Sequence, residues 1–126
     1  MKQILMVAAG GAAGVTCRYL ISLLLPLSGI RSHLWSATLL VNLIGCFLIG
    51  WAVQWMESKE MLESGLYLLL VTGFLGGFTT YSSFGLEGLT LLKSSSTLFF
   101  LYITLHFVGG FLLVWAGYRA GMAVTA

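Results

Sequence analysis

Four long apolar stretches, at about 4–25, 34–56, 64–93 and 98–122, fill the chain, with short polar segments between them. Each has the length at which an α-helix crosses a hydrocarbon core ~30 Å thick. The third overshoots: a straight helix over 64–93 would reach about 45 Å at ~1.5 Å per residue. Its middle reads Gly73-Phe74-Leu75-Gly76-Gly77-Phe78-Thr79-Thr80-Tyr81-Ser82-Ser83-Phe84-Gly85. Glycine weakens a helix interior, and hydroxyl side chains satisfy the backbone groups that a break frees. The pattern predicts an all-α membrane protein, one four-helix transmembrane domain over 1–126. Its third helix is expected to break near its middle, at 76–80. Such backbone persists at membrane depth only where protein buries it or where it lines a wet cavity, and broken helices often hold ions.

Within span one, Gly10, Gly11 and Gly14 give a small-residue face that admits a neighbouring helix, with Arg18 one turn further on. Pro26, Ser28 and Gly29 are expected to end that helix, and Arg31, Ser32 and His33 to form a loop. Trp35 at one end of span two, and Trp51 and Trp55 at the other, suit the two membrane interfaces. Thr38, Asn42 and Gly45 fall on one stripe by i, i+4, i+7 spacing. After the polar turn at Lys93-Ser94-Ser95-Ser96-Thr97, span four carries a stripe of Tyr102, His106, Gly110, Gly117 and Gly121.

Composition narrows the class. The chain is 59% hydrophobic and 8% charged, which excludes an ordinary soluble domain. A net charge of +2 is too weak to suggest a nucleic-acid partner. The first span carries Arg18 and is followed by three more, so it reads as a retained helix and not a signal peptide. Cys17 and Cys46 fall inside spans and read as buried small residues. Four spans place both termini on one side with Lys2, Lys59 and Arg119, against Arg31 and Lys93 opposite. Lys/Arg excess orients a membrane protein, and here the bias is slight. The expectation is insertion in both orientations and an antiparallel dimer; the alternative is one topology poorly marked by few charges.

Nothing in the sequence resembles an enzyme: no nucleophile–base arrangement, metal-spaced cluster or phosphate-binding loop is present. Asn42 is open to two readings, a helix–helix hydrogen bond or a donor to a passing anion. Arg18 either snorkels to the nearer interface or makes a vestibule positive. Tyr81 and Phe84 flank the break; such a pair is packing, or presents positive ring edges to a small anion. Glu87 is open to a buried hydrogen bond to Ser83 or another partner, or to a proton or cation site. His106 is a packed histidine or a polar group beside a pathway, and His33 is a loop residue. The carbonyls freed at Gly76 and Thr79 suit a monovalent cation shared across a dimer axis; no carboxylate cluster suits Ca²⁺ or Mg²⁺.

These residues together resemble the Fluc family of small fluoride channels, also called CrcB. The resemblance is carried by Gly10-Gly11, Gly14 and Arg18-Tyr19, by Asn42-Leu43-Ile44-Gly45, and by Thr72-Gly73-Phe74, Gly76 to Phe84 and Glu87. It covers essentially the whole chain. It implies a dual-topology homodimer in the inner (plasma) membrane, with two fluoride pores and a Na⁺ ion at the dimer centre. The carbonyls of Gly76 and Thr79 would hold that ion. Fluoride would meet the ring edges of Tyr81 and Phe84 and the amide of Asn42. Ser82, Ser83 and Glu87 would lie along or beside the polar track, Arg18 near the vestibule, and Tyr102 and His106 next to the pore. Two departures stand out: Tyr81 where relatives usually have Phe, and Gly110 where they often carry a hydroxyl residue. A homologous second subunit is the alternative partner to a second copy.

The expected function is passive, selective export of cytoplasmic fluoride. The rival from another class is a small proton-coupled antiporter of the multidrug type, which needs a carboxylate in its first span. A third reading is a non-transporting assembly subunit.

Overall fold

The computed structural model describes residues 1–27 and 36–125. The expected turn at Ser28 and Gly29, the loop residues Arg31, Ser32 and His33, and the anchor Trp35 lie outside the described residues. Helix α1 spans Lys2–Leu27 and α2 spans Ala37–Glu57. Helix α3 is continuous through three windings: Gly65–Tyr67, a π-wound Leu68–Leu75 and Gly76–Phe78. Helix α4 is Tyr81–Ser94. Helix α5 runs through Ser96–Thr104, a π-wound Leu105–Gly109 and Gly110–Thr125. No strand occurs among the described residues. Four helical runs are long and apolar enough to cross a membrane: Lys2–Leu25, Ala37–Glu57, Gly65–Ser94 and Ser96–Thr125.

Hydroxyl side chains set the helix starts. Ser36 accepts from Leu39 N at 3.1 Å, Ser64 from Tyr67 N at 3.3 Å and Ser95 from Leu98 N at 3.4 Å. Each satisfies one of the donors a helix N-terminus leaves free. Ser95 alone separates α4 from α5, so the polar turn there is shorter than the sequence pattern suggests. Between α2 and α3 the chain makes hydrogen-bonded turns, with Glu60 in the left-handed region at φ 56°.

Small residues decide the packing. A Cβ on Gly10 would lie 2.0 Å from Leu69 O, and one on Gly14 would lie 2.1 Å from Phe74 O. Helices α1 and α3 therefore meet backbone to backbone along the GxxxG face. The same device joins α2 to α5, where a Cβ on Gly117 would lie 2.0 Å from Phe47 O. Lipid tails are as apolar as leucine, so close backbone approach replaces hydrophobic exclusion as the source of helix affinity. Helix α4 folds back on the first part of α5 through Leu39, Phe84, Leu91 and Tyr102, which form a buried cluster with α2. Large apolar side chains such as Leu86, Phe100 and Phe111 point outward, at 68%, 65% and 76% exposure. Outward apolar faces of this kind are stable in lipid, not in water. The chain is a multi-pass membrane protein.

Candidate functional site

The site forms where α3 ends and α4 begins. Thr79 (φ −82°, ψ 158°) and Thr80 (φ −148°, ψ 123°) are extended, with helix on both sides. Gly76 itself is helical at φ −62° and ψ −34°. The two glycines serve another purpose: a Cβ on Gly77 would lie 2.6 Å from Gly11 O, whereas one on Gly76 would meet nothing within 4 Å. One glycine lets α1 approach and the other leaves open space.

Side chains from α1, α2 and α4 gather on the stretch 77–80. Asn42 Nδ2 donates to Thr80 O at 3.0 Å, and Asn42 Oδ1 accepts from the Thr80 N–H at 2.8 Å. Arg18 Nε donates to Gly77 O at 3.3 Å. Thr79 Oγ1 donates back to Leu75 O at 3.0 Å. Thr80 caps α4, its Oγ1 accepting from Ser83 N at 3.4 Å and donating to Ser83 Oγ at 3.2 Å. Ser82 Oγ lies 3.3 Å from the same hydroxyl.

Beside this elbow opens a groove of about 470 Å³, lined by Asn42, Gly45, Cys46, Thr72, Gly76, Thr79, Thr80, Tyr81, Phe84, His106 and Phe107 among others. Phe84 is buried on its wall, and Tyr81, 80% exposed, stands at its rim. Their ring centroids are 5.4 Å apart. Phe84 also meets Tyr102 at 5.7 Å, His106 at 4.5 Å and Phe107 at 6.2 Å, the last edge-on. Below this aromatic cluster Glu87 accepts two hydroxyl protons, from Thr38 on α2 and from Tyr102 on α5. His106 Nδ1 lies 3.0 Å from Tyr102 O, and its buried Nε2 meets no partner.

Most of the residues singled out in the sequence come together here: Asn42, Tyr81, Phe84, Gly76, Thr79 and His106 on the groove, and Ser82, Ser83, Glu87 and Tyr102 behind it. Arg18 reaches the same elbow from the opposite side, through α1. Ser83 is engaged by Thr80, and Glu87 by Thr38 and Tyr102, so the Ser83–Glu87 pair suggested by spacing does not form. Phe107 carries no signal in the sequence pattern, and Thr80 is marked there only as part of the 76–80 break and the family motif, without its partner Asn42. Thr38 shares the Asn42 stripe, which marked its face but not its carboxylate partner. Cys17 and Cys46 are half-buried and free of any disulfide. Among the described residues no group of His, Cys, Asp and Glu is placed to hold a metal ion.

Residues 5–118 match the family described as CrcB-like protein, Camphor Resistance (CrcB). The chain belongs to the CrcB family. Among relatives of this CrcB protein, one from Chlorobium phaeobacteroides (strain BS1) is 44% identical over 90% of this chain and 88% of its own length. Another, from Prosthecochloris aestuarii, is 44% identical over 92% of this chain and 90% of its own. A third, from Pseudomonas fluorescens, is 38% identical over 92% and 94%. All three bear the description fluoride-specific ion channel FluC, a transport function and not an enzymatic one.

Proposed function

We propose that this CrcB protein is a fluoride-selective channel of the plasma membrane that lets cytoplasmic fluoride leave passively. It works as an antiparallel dimer with two pores. In this reading the third span is broken at Thr79–Thr80, and a second copy covers the groove beside the break. The observation that carries the reading is the aromatic pair Tyr81–Phe84 at the start of α4, on the groove lined by Asn42. Ring edges are weakly positive, and a helix start favours anions. A small anion that gives up its water meets the second N–H of Asn42 and the aromatic edges there, with the hydroxyls of Ser82 and Ser83 next along the start of α4. Glu87, Tyr102 and His106 continue the polar line inward, and the guanidinium of Arg18 adds positive potential at the approach. HF crosses a bilayer and dissociates in a near-neutral cytoplasm, and a membrane potential negative inside drives the anion out at ~2.3 kcal/mol per charge per 100 mV.

A structural Na⁺ at the dimer centre fits the donor set. Thr80 N–H, the group that would close a helical turn on Gly76, goes to Asn42 instead, which takes from the Gly76 carbonyl its helical partner at a residue that lines the groove. Carbonyl oxygens suit a hard monovalent cation, and those of Gly76 and Thr79 from two copies would hold it. Once bound, the ion would supply a fixed positive charge tying the copies together.

The test is fluoride efflux from liposomes that contain the purified chain, read with a fluoride electrode. Fluoride efflux without chloride efflux is expected; equal loss of both ions contradicts selectivity. The proton-coupled antiporter is not favoured, because α1 carries no acidic residue.

A further inference from the structure

Extended peptides inside an apolar run expose amide groups that a lipid core cannot satisfy. At this junction two side chains arrive from different helices, Asn42 at the extended Thr80 and Arg18 at Gly77, in the last turn of α3. The amide of Asn42 binds both polar groups of Thr80, its N–H and its C=O, at 2.8 and 3.0 Å. Two bonds through one planar group fix the orientation of the Thr80 backbone as well as its place. Arg18, from α1, donates to Gly77 O at 3.3 Å.

An uninterrupted helix would pair Gly76 O with Thr80 N–H, and Gly77 O with Tyr81 N–H. Asn42 removes the first of these donors and gives the carbonyl nothing in return. Arg18 brings a donor to the second carbonyl, along with a positive charge at the negative end of α3. Neighbouring carbonyls are thus sorted: Gly77 O turns toward α1 and its arginine, and Gly76, with no atom near its missing Cβ, borders the groove.

We propose that Asn42 and Arg18 are positioning residues, a two-sided clamp on the Thr79–Thr80 elbow that presents the carbonyls of Gly76 and Thr79 to a monovalent cation. Asn42 thereby has a duty besides offering an N–H to an anion, and Arg18 has one besides lending its charge to a vestibule. The inference rests on the reading of Gly76 and Thr79 as cation ligands.

The experiment measures the dimer fraction of the full chain in lipid nanodiscs, in fluoride-free buffer. NaCl is titrated against N-methylglucamine chloride at constant ionic strength. The wild-type fraction is expected to rise with Na⁺; a flat response overturns the cation reading itself. Given a wild-type response, Asn42→Ala and Arg18→Ala are each expected to move the Na⁺ midpoint upward about tenfold, the equivalent of one lost hydrogen bond. Arg18→Lys, which keeps a charged donor, is expected to restore most of the shift. If either alanine variant fails to fold, Asn42→Ser and Arg18→Gln give the same readout, because neither makes the full set of contacts. An unchanged midpoint, even with a lowered Tm, marks a merely structural role and overturns the proposal.

Discussion

Tyr102 donates its hydroxyl to Glu87 Oε2 at 2.7 Å, and the Tyr102 side chain is wholly buried. The other carboxylate oxygen accepts from Thr38, so one acid ties α4 to both α2 and α5. A carboxyl group at this depth is expensive unless its lone pairs are satisfied. Tyr102→Phe keeps the ring and removes one donor. It is expected to lower stability by about 1–3 kcal/mol, the usual cost of leaving a buried acceptor without its donor. Denaturant unfolding in detergent checks this, and Thr38→Val is expected to do comparable harm through the other oxygen.

The glycine contacts give a sharper contrast. Gly14→Ala puts a methyl 2.1 Å from Phe74 O, a backbone atom that cannot rotate aside, so α1 and α3 must separate. A loss of at least about 3 kcal/mol is expected. Gly85→Ala meets nothing within 4 Å on the same test. There the gain in helix propensity, ~1 kcal/mol, is expected to leave the protein as stable as before or more so. Thermal unfolding of both variants side by side decides the matter.

Phe84 touches Tyr81, Tyr102, His106 and Phe107. Phe84→Ile retains apolar bulk and discards the positive ring edge. Fluoride efflux from liposomes is expected to fall at least about tenfold, with dimer assembly kept. Unchanged efflux removes the ring from the pathway.

Tyr81 has its ring on the groove and is 80% exposed. Tyr81→Phe is expected to retain efflux within about threefold, since in the proposed pore the ring edge, which Phe keeps, is what meets the anion. A complete loss would make the hydroxyl the essential donor.

Much of this was legible in the chain itself, for a physical reason: in lipid, apolar runs and small-residue spacings dictate both elements and contacts. Gly10 and Gly14 announced the α1–α3 seam, and Gly117 and Gly121 the α5 face that meets α2. Glycine is a poor helix former, so the sequence points to an interruption at 76–80, whereas 76–78 are helical and Thr79 and Thr80 are extended. Gly77 stays helical because its missing side chain is used for proximity to Gly11, a tertiary demand that no local propensity reports. The partners of Glu87 were hidden for a related reason. Thr38 and Tyr102 sit on separate helices, and i, i+4 spacing offers only the nearby Ser83, which Thr80 already holds.

The π-wound stretch Leu105–Gly109 has its own corollary. Such a coil takes up one surplus residue compared with ordinary winding within its own wide turn, so the helix beyond it keeps the facing it would have without that residue. Tyr102 before the coil and Gly117 and Gly121 beyond it therefore keep their facings whether or not the extra residue is present. Lineages free to delete a single residue from the fourth span can do so in that coil, whereas the same deletion a turn further along would swing the glycine face away from α2.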